Sequence, residues 1–407
     1  MLSQMAAPGA GLGWQQLGTL LAGRLVFNTA FRVVYPLLPL LAAGLGVELG
    51  VASLLVTAQV AASLLSPLGG AITDRFGERA TLLAGLALFT LGAAGCALAP
   101  SFWPFLAGYG LIGLGTALYM PAVQTYASNR SDYSRRGRVL GLLELSWAAS
   151  AFVGVVGLVR LIEAAGGWAP AFWALAGLGA AMLALHARLP EEARRPGVPD
   201  MGEPGGREGA GPRARSGGIR EALAQPGVAA TLGVVFLQLL AVELVFVVYG
   251  TWLEGDFGAS TEQLGLVFGL LGLFELGGSV GATLLTDRLG KRRAVLAGFA
   301  AMGALLLLLP LSAGRWGLFL ALFMAFALCF EFAVVSVFPL ISGMAARARG
   351  SVMALCLMAI GVGRIVGSVV GPRLFEATGF WGNGLLAGAA ALAGVALGAA
   401  LIREGRA

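Results

Sequence analysis

The sequence predicts an all-α integral membrane protein of twelve transmembrane helices, arranged as two parallel six-helix repeats. Three observations predict it. Apolar runs of about 20 residues, the length that crosses a bilayer, recur along the whole chain. Basic residues collect in alternate loops. And a charged loop, TDRFGERATLLAG at 73–85, returns as TDRLGKRRAVLAG at 286–298, a register of 213 residues with eight of thirteen positions identical.

Composition narrows the class first. Of 407 residues, 58% are hydrophobic and 12% charged, and the mean hydropathy is +0.85. Soluble domains carry about a quarter charged residues. The 63 glycines suit helices that approach closely in lipid. Cys96, Cys329 and Cys356 lie inside apolar runs at no metal-ligand spacing and read as small buried hydrophobes. His186 is the single histidine, at the end of an apolar run. No metal or cofactor is therefore expected. Residues 1–16 lack the basic start of a cleavable signal peptide. Arginine outnumbers lysine 26 to 1, the usage of a GC-rich bacterial genome.

Apolar runs bounded by charged or Gly/Pro-rich breaks give spans at 17–43, 49–72, 80–99, 103–127, 139–161 and 169–188, then 228–252, 262–285, 294–312, 317–342, 351–374 and 383–402. Between the sets, 191–218 is rich in Gly, Pro, Arg and Glu with almost no apolar content. Such a segment cannot bury enough surface to order itself. The expected organisation is an N-terminal six-helix bundle (1–188), a flexible cytoplasmic linker (189–226) and a C-terminal six-helix bundle (227–407).

Orientation follows from Lys and Arg. With the N-terminus inside, 21 of the 27 basic residues fall in cytoplasmic segments, and the outer side keeps Arg160, Arg315 and Arg373. Both termini are then cytoplasmic. The basic balance, +6 overall, needs no nucleic-acid partner.

The 213-residue register extends beyond the first loop. Trp103 maps to Trp316, Arg136-Gly137 to Arg349-Gly350, and RLIEAAGGW (160–168) to RLFEATGFW (373–381). These pairs lie on both sides of the membrane, so the halves are parallel repeats related by an axis along the membrane normal. That is the geometry of major facilitator transporters. The chain resembles a bacterial member of the major facilitator superfamily over its entire length. Gly70, Asp74, Arg75, Gly77 and Arg79 match the loop signature G-x-L-A-D-R-x-G-R-[KR], with Glu78 in place of a usual base. The second copy has Asp287, Arg288, Gly290, Lys291 and Arg292, with Thr283 for the leading Gly. The region from RRGRVLGLLELSWA to GGWAPAFWALAGLG resembles helices 4–6 of the drug- and sugar-efflux branch. Two positions depart from that branch. Tyr109, four residues before Gly113, stands where an Arg is usual. Helix 5 keeps Gly154 and Gly157 without the proline of the antiporter motif.

Charges inside the spans carry the functional reading. A charge at the bilayer centre costs about 2.5–3.5 kcal/mol on insertion scales, so it needs a partner or a wet cavity. Arg24, Asn28 and Arg32 share one face of helix 1. Glu144 lies near the inner end of helix 5. Glu243, Glu275, Glu331 and Arg364 lie near the middles of helices 7, 8, 10 and 11, and Gln59 and Gln238 sit mid-helix in helices 2 and 7. These groups either pair to fix packing or line a cavity between the halves. The family resemblance places the cavity on helices 1, 4, 7 and 10, with 2, 5, 8 and 11 contributing, and no charge falls mid-span on helices 3, 6, 9 or 12. Glu243, Glu275 and Glu331 are candidates for proton coupling, because a carboxyl group influenced by both burial and an Arg can exchange a proton as water access changes. Arg24, Arg32 and Arg364 are candidate counter-ions or anion holders. Tyr119, Trp147, Phe268 and Phe330 are candidate cavity wall.

The expected function is secondary transport by alternating access: proton-coupled efflux of small amphipathic molecules, by a chain expected to be monomeric in the bilayer. The rivals are a transporter of an anionic solute or lipid and a non-transporting receptor of the same fold. A membrane enzyme would need a metal cluster or a nucleophile with its base, and neither is apparent. The loops Asp74, Arg75, Gly77, Arg79 and Asp287, Arg288, Gly290, Arg292 are expected to gate the inner side. Asp74 and Asp287 would meet a helix N-terminus or an Arg of the facing half.

Overall fold

The computed structural model describes residues 12–131, 133–191, 223–344 and 349–402. Most of the predicted linker lies outside the described residues. Among the described residues the chain is helical, without strands. Eleven helices are long and apolar enough to cross a membrane, and one bent pair completes twelve spans. Spans 1 to 4 are Trp14–Gly44, Leu49–Ser63 with Ser66–Phe76, Glu78–Leu98 and Phe102–Asn129. Span 5 runs from Tyr133–Ala149 through Ser150–Val155 into Val156–Ala165, and span 6 is Ala169–His186. Spans 7 to 12 are Val228–Phe257, Thr261–Leu289, Lys291–Ser312, Trp316–Met344, Arg349–Thr378 and Phe380–Leu401.

Two spans depart from simple apolar runs. Span 2 bends by 44° where the sequence shows continuous hydrophobicity. Pro67 has no amide hydrogen, so the Ser63 carbonyl loses its helical donor. The Ser66 hydroxyl donates to that carbonyl instead, at 2.7 Å. Span 5 contains a π-helical stretch at Ser150–Val155. Gly154 lies within it, so close to span 1 that a Cβ there would stand 1.9 Å from the Thr29 hydroxyl oxygen. The efflux branch's proline is missing from this helix, and the π-stretch is the local irregularity the helix has in its place.

Packing inside each half depends on small residues. Spans 3 and 4 cross on reciprocal glycines. A Cβ on Gly92 would meet the Gly108 carbonyl oxygen at 2.5 Å and the Ile112 nitrogen at 2.8 Å, and one on Gly115 would meet the Gly85 oxygen at 2.6 Å. These obstacles are backbone and cannot swing away. Lipid tails are as apolar as the helices, so close van der Waals contact drives association here. Gly92→Val is therefore expected to destabilise the fold by about 3 kcal/mol or more. Gly110→Val, where a Cβ meets nothing within 4 Å, should leave thermal unfolding in detergent unchanged.

The loop repeat is conformational as well as chemical. Gly77 and Gly290 join spans 2 to 3 and 8 to 9 at φ +89° and +85°, a region that favours glycine. Two residues on, Arg79 donates to the Ala187 carbonyl. Arg292 donates to the Ala399 carbonyl at 2.7 Å. Each arginine ties the third helix of its half to the sixth.

The two halves meet along part of their depth. Gly265 packs on Val159, Gly269 on Val156, Gly272 on Ala151, Gly250 on Pro39 and Gly361 on Leu64. The Thr57 and Ser368 hydroxyls lie 2.8 Å apart. These contacts run from mid-span to the face opposite the TDR loops. Toward the TDR-loop face, Ser66–Phe76 packs on spans 3 and 4 of its own half. The Glu144 side chain stands 61% exposed although it is ion-paired. The inter-half contacts named above therefore lie from mid-span to the face opposite the TDR loops.

Candidate transport site

Span 1 forms the polar spine of the interface. Arg24, Asn28, Arg32 and Tyr35 follow helical spacing along one face, and each reaches another span. Arg24 holds Glu144 of span 5 through two bonds of 2.9 and 3.1 Å. Asn28 donates to the Ser146 hydroxyl at 3.1 Å. Arg32 lies 2.8 Å from Glu275 of span 8, with its guanidinium 4.5 Å from the Trp147 ring and 5.0 Å from the Phe268 ring. The Tyr35 hydroxyl donates to Glu243 of span 7 at 3.0 Å and accepts from Arg364 of span 11. Arg364 donates through Nε to Glu243 at 2.9 Å. Arg32–Glu275 and the Tyr35 bonds cross between the halves. Arg24–Glu144 and Arg364–Glu243 lie within one.

The Arg32–Glu275 pair is costly to keep buried. The two side chains are 2% and 5% exposed. Removing both charges from water costs several kcal/mol per ion, offset only where the remaining polar atoms are satisfied. Nε and Nη1 of Arg32 have no hydrogen-bond acceptor among the described residues. Cation–π attraction from Trp147 and Phe268 offsets part of the cost.

Glu331, which is only half-buried, differs from the buried acids Glu243 and Glu275. It accepts a hydrogen bond from Ser279 of span 8 at 2.8 Å, and among the described residues no salt bridge joins it to a base. Ser279 sits one helical turn from Glu275.

Other sequence candidates are engaged inside their own halves. Gln59 donates to the Phe31 carbonyl at 3.0 Å and accepts from Tyr109, which also donates to the Ala30 carbonyl at 3.0 Å. Tyr109, at the position where the efflux branch has an Arg, thus braces span 1 with a neutral hydroxyl. Tyr119 pairs with His186 at 2.9 Å and stacks on Phe27 at 4.2 Å between centroids. Gln238 donates to the Ala391 carbonyl of span 12 at 2.9 Å. Phe330 is buried and stacks on Phe326. Sequence reasoning missed Tyr35 and Ser279. Tyr35 could have been found, since it continues the Arg24–Asn28–Arg32 face by three residues.

Comparison with known proteins fits this architecture. A model of the Major Facilitator Superfamily matches residues 20–237 and again residues 231–407. The chain belongs to the major facilitator superfamily. It is 27% identical to the uncharacterized MFS-type transporter YwfA of Bacillus subtilis (strain 168) over 90% of this chain and 86% of that one. Local matches include the methylenomycin A resistance protein of Bacillus subtilis (strain 168), 37% identical over 28% of this chain and 25% of that one. The multidrug resistance protein MdtL of Escherichia coli (strain K12 / DH10B) is 31% identical over 42% and 46%. Among solved structures, the xylose transporter XylE from E. coli, in a partially occluded inward open conformation, superposes with a TM-score of 0.71. It covers 96% of this chain and 99% of that one at 13% identity, a likeness of fold. The protein is a multi-pass membrane transporter of the superfamily.

The superfamily's signature loops serve their own halves in this structure. Asp74 and Asp287 are exposed, and among the described residues neither makes a hydrogen bond or ion pair to the facing half. The contact expected between these loops and the facing half is not among the bonds of the described residues. Arg75 lies over Phe76 at 5.3 Å, and Arg288 is exposed. Arg79 also pairs with Glu191 at 2.6 Å. Glu78, which replaces a usual base, is buried and accepts from Asn129 at 2.6 Å and from Arg130. It fastens span 3 to the end of span 4. Glu78→Ala should cost about 2 kcal/mol by stranding those charge-assisted donors. A lowered unfolding temperature in detergent would register it, and an unchanged one would refute this role.

Proposed function

We propose that the chain is a secondary transporter working by alternating access, coupled to protons, that exports small amphipathic molecules. The arginine-rich face is assigned to the cytoplasm of a bacterial inner membrane, with both termini inside. The organisation is then two bundles, 1–188 and 227–407, joined by a cytoplasmic linker. On that assignment the structure is closed to the outside and open inward. The TDR loops would meet the facing half only after the inner side closes.

The observation that carries the coupling reading is Glu331. It is a half-buried acid with a hydroxyl for a partner, and that hydroxyl, on Ser279, sits one helical turn from Glu275 of the bridge that joins the halves. When Glu331 is ionised it repels Glu275 and competes for Arg32, so the bridge loosens. When Glu331 is protonated both effects vanish and the bridge holds the outer side shut. A proton loaded from outside thus favours closure and inward opening. Its release to the cytoplasm weakens the bridge and favours the return with substrate. Glu243 and Arg364, linked by Tyr35, supply a second contact about one helical turn further along span 1. The printed names of two local relatives, a methylenomycin A resistance protein and a multidrug resistance protein, support export.

The test is a thermal-shift screen of amphipathic compounds on wild type, Glu243→Gln, Glu331→Gln and Arg364→Ala, followed by counterflow in proteoliposomes. Hits that bind all variants alike would contradict the site. A ligand that binds without counterflow would favour a receptor. One observation favours a second reading, an anionic substrate: the unaccepted Nε and Nη1 of buried Arg32. In that case the hits are carboxylates or phosphates, and Arg32→Gln abolishes their shift.

A further inference from the structure

The outer closure carries a second device, on residues far from the central charges. The chain turns from span 7 into span 8 at Ser260, and the helix Thr261–Leu289 begins there with its unpaired N–H groups at the outer face. The Ser260 hydroxyl accepts from the Gln263 amide at 3.2 Å. The Glu262 amide is satisfied from the other half: it donates to Oε1 of Glu163, at the end of span 5, at 2.6 Å. A carboxylate of the first half thereby completes the helix cap of the second, where the macrodipole favours negative charge. The internal repeat supplies the counterpart independently. Glu163 maps to Glu376 in the 213-residue register, and Glu262 maps to position 49. The Glu376 Oε1 lies 3.7 Å from where a Cβ on Gly50 would stand, beside the outer start of Leu49–Ser63. Glu376 thus stands beside the corresponding helix start of the first half, without a hydrogen bond to it among the described residues.

We infer that Glu163 and Glu376 are a pair of outer latches. Glu163 is bonded to the helix start of the other half in the outward-closed state, Glu376 stands beside the corresponding start, and both move away when that side opens. They differ from the central bridge in being exposed at the surface, so their contribution is small, salt-sensitive and independent of the transported proton. The neighbouring Arg160–Glu262 pair, 3.9 Å apart with both side chains largely exposed, adds little.

The inference rests on the alternating-access reading, and its test separates the two. In the full chain with Cys96, Cys329 and Cys356 replaced by Ala, spin labels at Leu98 and Leu311 report the outer ends, and labels at Phe76 and Leu289 report the inner ends. These positions are exposed and related by the repeat. Electron–electron distances are recorded at low and high pH for wild type, Glu163→Gln, Glu376→Gln and the double variant. Each single variant should raise the ratio of outer-open to outer-closed molecules by about two- to five-fold at low ionic strength. The double variant should raise it by the product, and the gain should shrink in about 1 M salt. Two populations that interconvert in wild type but are unchanged in the double variant would overturn the latches and leave alternating access standing. Distances fixed in every protein and condition would overturn both.

Discussion

Glu275→Gln is expected to release the closed outer face. Arg32 would keep its charge, 2% exposed, and lose the carboxylate that meets it from the other half. Breaking a buried pair by removing one partner costs about 3–5 kcal/mol, which corresponds to roughly 10²- to 4 × 10³-fold in a two-state equilibrium. The pair spans the interface, so the penalty falls on the outer-closed state alone, and separation of the halves relieves it by hydrating Arg32. A cysteine at Val159, which is 1% exposed beneath Gly265, reports this directly. Its alkylation by a membrane-impermeant reagent should accelerate strongly in Glu275→Gln. Arg32→Glu combined with Glu275→Arg should slow it again. An unchanged rate in Glu275→Gln would show that the pair does not hold the closure.

Glu331→Gln should act in the opposite direction and remove the response to protons. The amide resembles the protonated acid: it neither repels Glu275 nor attracts Arg32. The outer-closed state should therefore be favoured at every pH, whereas wild type should shift toward outer-open as the pH rises. In proteoliposomes, Glu331→Gln should retain substrate exchange and lose accumulation driven by a pH gradient. Gradient-driven accumulation at the wild-type level would assign the proton elsewhere, with Glu243 next in line. The two variants form a cycle. With Glu275 neutral, Glu331 has no carboxylate to repel, so part of the effect of Glu331→Gln should disappear in the double variant.

What the amino-acid sequence makes legible depends on the kind of signal. Hydropathy and the 213-residue register placed the spans and the two halves, because both depend on runs of residues rather than on single side chains. The bend of span 2 escaped them. Ser63, Ser66 and Pro67 sit inside an apolar stretch, and the break comes from one missing amide hydrogen. The charges on span 1 were readable as one face, but their partners were not: nothing in sequence spacing joins Arg32 to Glu275 rather than to Glu243 or Glu331. Gln59, Tyr119 and Gln238 stood with the charges as cavity candidates, yet each bonds within its own half. A helix that is apolar on all sides gives no periodicity from which to read where one polar residue points. Glu163 and Glu376 went unused although RLIEAAGGW and RLFEATGFW were already aligned, because a carboxylate at a helix end looks like an ordinary solvated charge until the facing helix start is seen.

The most direct test of proton-coupled exchange is proton movement evoked by a ligand. Proteoliposomes holding wild-type protein and a pH dye inside, given a compound that the screen shows to bind and exchange, should report an opposing flow of protons. The flow should vanish in Glu331→Gln while exchange of the same compound continues. Exchange without any accompanying proton flow in wild type, or the same flow in Glu331→Gln, would contradict the account.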